Sequence, residues 1–163
     1  MLAMFSQSAG DTGVSEMLDK MAALARGAMF DGLIRDQAAK VIGGCPRGDK
    51  RCFCYGLLSW VSGNVHYVPD PHKAEALHDP RMMARGIVEK KYVYGDCDDM
   101  STYLAALMKA IGLAPVFRAV GYDGKPFQHV YVRCEGLMLD ATRNAWMVSF
   151  RPNQETSVME RAV

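Results

Sequence analysis

Met100, Tyr103, Leu104, Leu107, Met108 and Ile111 recur at the spacing of one apolar helix face, and no other stretch constrains the fold as tightly. Gly112 closes the pattern. Immediately ahead of it lies Gly95-Asp96-Cys97-Asp98-Asp99. Asp96 is a good N-cap, and Asp99 can reach back to it as in a capping box, so the helix is expected to begin at Cys97. Cys97 is then a first-turn residue on the side of the buried stripe. Unpaired backbone N–H groups and the positive dipole end favour a thiolate there, while the carboxylates of Asp96, Asp98 and Asp99 oppose it. A cysteine nucleophile in that setting needs a histidine partner.

A partner lies downstream. Phe127-Gln128-His129-Val130-Tyr131-Val132-Arg133-Cys134 is β-branched and aromatic and reads as a strand, and Leu137-Met138-Leu139-Asp140-Ala141-Thr142, after Glu135-Gly136, reads as its hairpin mate. A two-residue loop pairs Cys134 with Leu137 and sets Tyr131 opposite Asp140. His129 and Asp140 are then diagonal neighbours on one face, roughly 5 to 8 Å apart at Cβ. One more loop residue would send them to opposite faces. Cysteine at a helix start, histidine on a strand and aspartate at the next strand make a nucleophile, base and orienter in chain order.

These residues, Gly95-Asp96-Cys97-Asp98-Asp99, His129-Val130-Tyr131-Val132 and Leu139-Asp140-Ala141-Thr142, resemble the transglutaminase-like superfamily of papain-related cysteine enzymes, and among them the small versions encoded by bacteriophages and prophages. The resemblance spans about Tyr67 to Thr142. It implies an α+β fold, with N-terminal helices on a C-terminal antiparallel sheet around a papain/transglutaminase-like core. It also implies Cys97 as nucleophile, His129 as general base and Asp140 as the residue orienting His129. Two positions depart from the commonest pattern: Tyr131 stands where many members have tryptophan, and Arg133 where many have glutamate. The expected chemistry is acyl transfer on a peptide or side-chain amide, by hydrolysis or by transamidation, without a cofactor or metal. The backbone N–H of Cys97 and one further donor, with Tyr94, Gln128 and Trp60 as candidates, would hold the oxyanion. A phage-encoded member would meet virion or host proteins as partners. The reading of a different class is a non-catalytic structural or assembly module on the same fold.

With 163 residues, half of them hydrophobic, the chain can bury the core of one domain. A net charge of +1 without a basic run argues against nucleic acid, and no apolar stretch is long enough to span a bilayer. The start of the chain lacks the pattern of a signal peptide, which suggests a cytoplasmic protein. Five cysteines, an odd count, argue against a disulfide framework. Cys45, Cys52 and Cys54 cluster without the spacing of a zinc site and read as structural thiols.

In chain order, residues 1–13 read as a frayed segment, Val14 to Arg26 as a helix capped by Ser15, Phe30 to Ile42 as a second helix and Arg51 to Ser62 as a third. Asn64 to His78 holds a short extended piece and a turn, and the resemblance to the transglutaminase-like superfamily implies that this segment walls the substrate cleft. His66, His72 and His78 read as exposed or locally bonded. Pro80 to Arg85 reads as a helical turn with Met82 and Met83 inward, and Glu89-Lys90-Lys91 as a solvated patch. Pro115 to Gly121 is expected as a strand, with another at Trp146, Val148 and Phe150. Residues 151–163, polar and without periodicity, read as a tail.

Overall fold

The chain forms β1 (Ala3–Phe5), α1 (Asp11–Ala28), α2 (Gly32–Ile42), α3 (Lys50–Asn64), β2 (Val65–Tyr67), β3 (Glu75–Leu77), α4 (Pro80–Lys90), β4 (Val93–Gly95), α5 (Cys97–Ala110), β5 (Val116–Tyr122), β6 (His129–Cys134), β7 (Leu137–Leu139) and β8 (Glu155–Ala162). The computed structural model describes residues 3–5, 10–69, 75–142, 151 and 154–163. His72 and the strand expected at Trp146, Val148 and Phe150 lie outside the described residues.

Helix α5 is the axis of the fold. Its expected stripe is buried from Met100 to Met108 and partly so at Ile111, but so is every residue from Asp99 to Met108, because α1, α2, α3, α4 and β6 pack around its whole circumference. Ser101, Thr102, Ala105 and Ala106 make this close approach feasible, since small side chains fill the positions that a periodicity reading assigns to solvent. The helix ends at Ile111 and Gly112, whose φ of 81° is readily adopted only by glycine.

Beside α5 lies a four-stranded antiparallel sheet in the order β7-β6-β5-β8, giving a mixed helix and sheet architecture. The β6–β7 hairpin has the expected register, Cys134 with Leu137 and Val132 with Leu139. Its turn residues Glu135 and Gly136 both take positive φ, 50° and 74°, as the tight two-residue hairpin turn requires. Elsewhere β2 and β4 pair in parallel, and β1 pairs with β3.

Several boundaries differ from expectation. Strand β8 occupies much of the stretch read as a tail. It pairs with β5 along its length and is fastened by polar groups: Glu160 accepts from both Arg118 and Arg133 at 2.8 Å, Arg161 donates to Ser15 Oγ at 2.8 Å, and Glu155 accepts from Tyr131 Oη at 3.1 Å. Hydrophobic alternation is absent because ion pairs take its place. Helix α1 starts at Asp11 after Gly10, earlier than Ser15, and α4 continues to Lys90. Asp79 caps α4, Met83 is buried and Met82 is exposed, so only one of the two methionines faces inward.

The cysteines also depart from expectation. Cys45 and Cys52 form a disulfide, their Cα atoms 5.8 Å apart, because the turn after α2 doubles back into the first turn of α3. Cys54 and Cys134 are buried thiols that hydrogen-bond each other. Thus four of the five cysteines are paired, one pair covalently. This corrects the expectation, drawn from the odd cysteine count, that the chain holds no disulfide. Among the described residues no helix is long and apolar enough to cross a membrane.

Candidate active site

The capping box forms as the spacing requires. Asp96 Oδ1 accepts from the amides of Asp98 and Asp99 at 3.0 and 3.3 Å, and Asp99 Oδ2 accepts from the Asp96 amide at 3.4 Å. Cys97 is therefore fixed at the first position of α5, half-buried and packed against the core. Gly95 is required here: a Cβ on it would lie 2.8 Å from the Cβ of Asp99.

Helix and strand meet at Val130. Its amide hydrogen-bonds the Cys97 sulfur, and its carbonyl accepts from Ser101 Oγ at 3.2 Å. Ser101 is one turn beyond Cys97, so two residues on one face of α5 grip the backbone of the residue that follows His129. The histidine strand is thereby held against the thiol.

His129 opens β6 and Asp140 directly follows β7, both buried. The side chains meet, His129 Nε2 to Asp140 Oδ2 at 2.8 Å. The other carboxylate oxygen accepts from the amide and hydroxyl of Thr142 at 2.9 and 2.7 Å. Burial pushes the Asp140 carboxyl up, but the hydrogen bond and charge of His129, with the two bonds from Thr142, outweigh it and leave Asp140 below the usual carboxylate range. Asp140 is thus held ionised, with one oxygen committed to the imidazole.

The thiol is held in the opposite direction. Burial, then the charges of Asp98 and Asp96, push Cys97 well above its ordinary value; the Val130 amide opposes them, and the 3.3 Å contact of Sγ with Asp98 Oδ1 adds to the rise. Burial, joined by the carboxylates expected to resist ionisation, therefore keeps the thiol protonated at rest. Among the described residues, Asp96, Cys97 and Asp98 place one ligand atom each within 4.8 Å of one another and are the group that could hold a metal ion. Asp96 Oδ1 in that group already accepts two backbone hydrogen bonds.

The three expected oxyanion donors are placed elsewhere or already engaged. Trp60 Nε1 donates to Tyr103 Oη at 3.2 Å. Tyr94 is 57% exposed and groups with His66 and Tyr92 on the outer side of β2 and β4. Gln128 is exposed ahead of β6. Two other residues reach the site without having been singled out. His78 bonds Asp99 through both its amide and Nδ1, each at 2.7 Å, and Tyr67 pairs with Gly95, two residues before the thiol. Neither belongs to a motif; their only signal is the short extended run preceding the cysteine helix.

No family model and no curated protein matches the chain. A solved structure from Cytophaga hutchinsonii, described as a "Putative Cysteine Protease", is similar to it at a TM-score of 0.46 and 17% identity over 80% of this chain. The chain spans half the length of that protein.

Proposed function

We propose that this chain is a cysteine-dependent acyl-transfer enzyme acting on a peptide or side-chain amide, with Cys97 as nucleophile, His129 as base and Asp140 as the orienting carboxylate. One observation carries the reading: an imidazole locked by Asp140 at 2.8 Å stands on the residue whose neighbour's amide bonds the Cys97 sulfur. Asp140 engages Nε2, so Nδ1 is the nitrogen assigned to the thiol proton. As that proton moves to Nδ1, the Cys97 sulfur bonds to the amide carbon and the carbonyl π electrons become an oxyanion. Collapse re-forms the carbonyl, expels the amine with the proton from the imidazolium, and leaves a thioester. Water or a second amine then takes the acyl group by the same route in reverse. Because burial and two carboxylates hold the resting thiol protonated, proton transfer and attack proceed together.

The same raised thiol favours the second reading, a binding module with an inert cysteine. Iodoacetamide alkylation, read by mass spectrometry at Cys54, Cys97 and Cys134 across pH, separates the two. The enzyme reading expects Cys97, with His129 taking its proton as it attacks, to outpace Cys54 and Cys134 at neutral pH and to lose that advantage in His129→Ala. Equal Cys97 rates in wild type and mutant would leave the binding module as the better reading.

A further inference from the structure

We propose that the Tyr67 hydroxyl is the second oxyanion donor, acting with the backbone N–H of Cys97; this rests on the acyl-transfer reading. Strand β2 pairs in parallel with β4 so that Tyr67 is the register partner of Gly95, two residues before the thiol. The Val68 amide donates to the Gly95 carbonyl at 3.0 Å and locks the strand end at that point. Register partners carry their side chains on one face. The face of Gly95 looks onto the first turn of α5, where its missing Cβ would meet Asp99. His66 and Tyr94, the preceding partners, face the other way with Tyr92. Tyr67 thus stands half-buried on the inner side, packed against the same core as Cys97.

A comparison with the other inward tyrosines singles out its hydroxyl. Tyr103 donates to Gln37 at 2.6 Å, Tyr131 donates to Glu155, and Tyr122 accepts from the Arg151 amide. Among the described residues the Tyr67 hydroxyl has no hydrogen-bond partner. This hydroxyl is not among the buried unpartnered atoms, so water can hold it at rest and it is free to turn to a substrate carbonyl that becomes an oxyanion. Burial, followed by Cys97 once ionised and by the carboxylates of Asp96, Asp98 and Asp140, pushes this phenol up to about 12, so the donor keeps its proton throughout the working range. Those charges come from both sides of the proposed triad. Trp60, Tyr94 and Gln128 lack this combination of position and unspent proton.

Two reagents that share the nucleophile and differ in the oxyanion provide the test. p-Nitrophenyl acetate acylates a thiolate through a tetrahedral oxyanion, whereas iodoacetamide alkylates it by direct displacement at carbon and forms none. In Tyr67→Phe, which keeps the ring and its packing, acylation of Cys97 should fall about 10²-fold, the scale of losing one oxyanion donor, with alkylation unchanged. Equal acylation in wild type and Tyr67→Phe would overturn the assignment. So would equal falls in both reactions, which would make Tyr67 a packing residue. If wild-type Cys97 alkylates rapidly at neutral pH but is not acylated at all, the acyl-transfer reading itself fails, and with it the donor.

Discussion

Two histidine–aspartate pairs flank the first turn of α5, and their hydrogen bonds set them to different tasks. In His129–Asp140 the carboxylate takes one bond from the imidazole and two from Thr142, so it is anchored locally and aims a ring. In His78–Asp99 the fully buried carboxylate takes backbone amides from His78 and Asp96 as well as Nδ1 of His78. That second pair ties the entry of α4 to the turn carrying Cys97. A His–Asp contact is therefore insufficient evidence of catalysis; what the carboxylate holds besides the ring decides the role.

The largest effect expected from this contrast is in His129→Ala, which should lower Cys97 acylation by p-nitrophenyl acetate about 10³-fold or more, while the loss of Asp140's buried partner costs about 1 to 3 kcal/mol of unfolding free energy. A large stability loss with little rate loss would exchange the roles of the pairs. His78→Ala should lose about 2 kcal/mol in urea unfolding, because Asp99 keeps its burial and the residue-78 amide but loses the Nδ1 donor. Its alkylation rate should fall less than tenfold. His78→Asn, whose side-chain amide can occupy the place of Nδ1, should recover most of the stability, whereas His78→Gln should not. Reducing Cys45–Cys52, remote from either pair, should cost about 2 kcal/mol for so short a loop and leave Cys97 alkylation unchanged.

The smallest effect concerns acid. Asp140 lies below the ordinary 3.8 in the folded state, so its contribution to stability is intact above that value and is lost as pH falls through the lower folded one. Urea midpoints of wild type and Asp140→Asn should converge on acidification below pH 3.8, and parallel curves would remove Asp140 as a source of acid sensitivity.

The legible parts of this molecule were those set by short-range rules. The capping box at Asp96, the helix behind it and the Glu135-Gly136 hairpin register all follow from residues within a few positions of one another, and together they placed His129 beside Asp140. What stayed hidden depends on distant partners. Strand β8 looks structureless until Arg118, Arg133 and Ser15 arrive to bond its charged side chains. Tyr67 acquires meaning only when β2 pairs with β4 across the intervening α4. His78 reads as exposed or locally bonded, yet its partner lies 21 residues away. The disulfide was missed because an odd count was taken to exclude pairing, when it also fits pairs plus one cysteine left over.

That leftover cysteine bears on how long the protein would survive oxidants. Cys45 and Cys52 are already bonded, and Cys54 and Cys134 lie buried together at the end of β6 opposite to Val130, so none of the four stands ready to resolve a sulfenic acid formed at Cys97. Peroxide arriving there would meet no internal thiol to condense with, and without a small-molecule thiol the sulfur would advance to the irreversible sulfinic state. The protonation that burial and the neighbouring carboxylates impose on Cys97 then acts as protection as well as restraint, because the thiol is oxidised far more slowly than the thiolate.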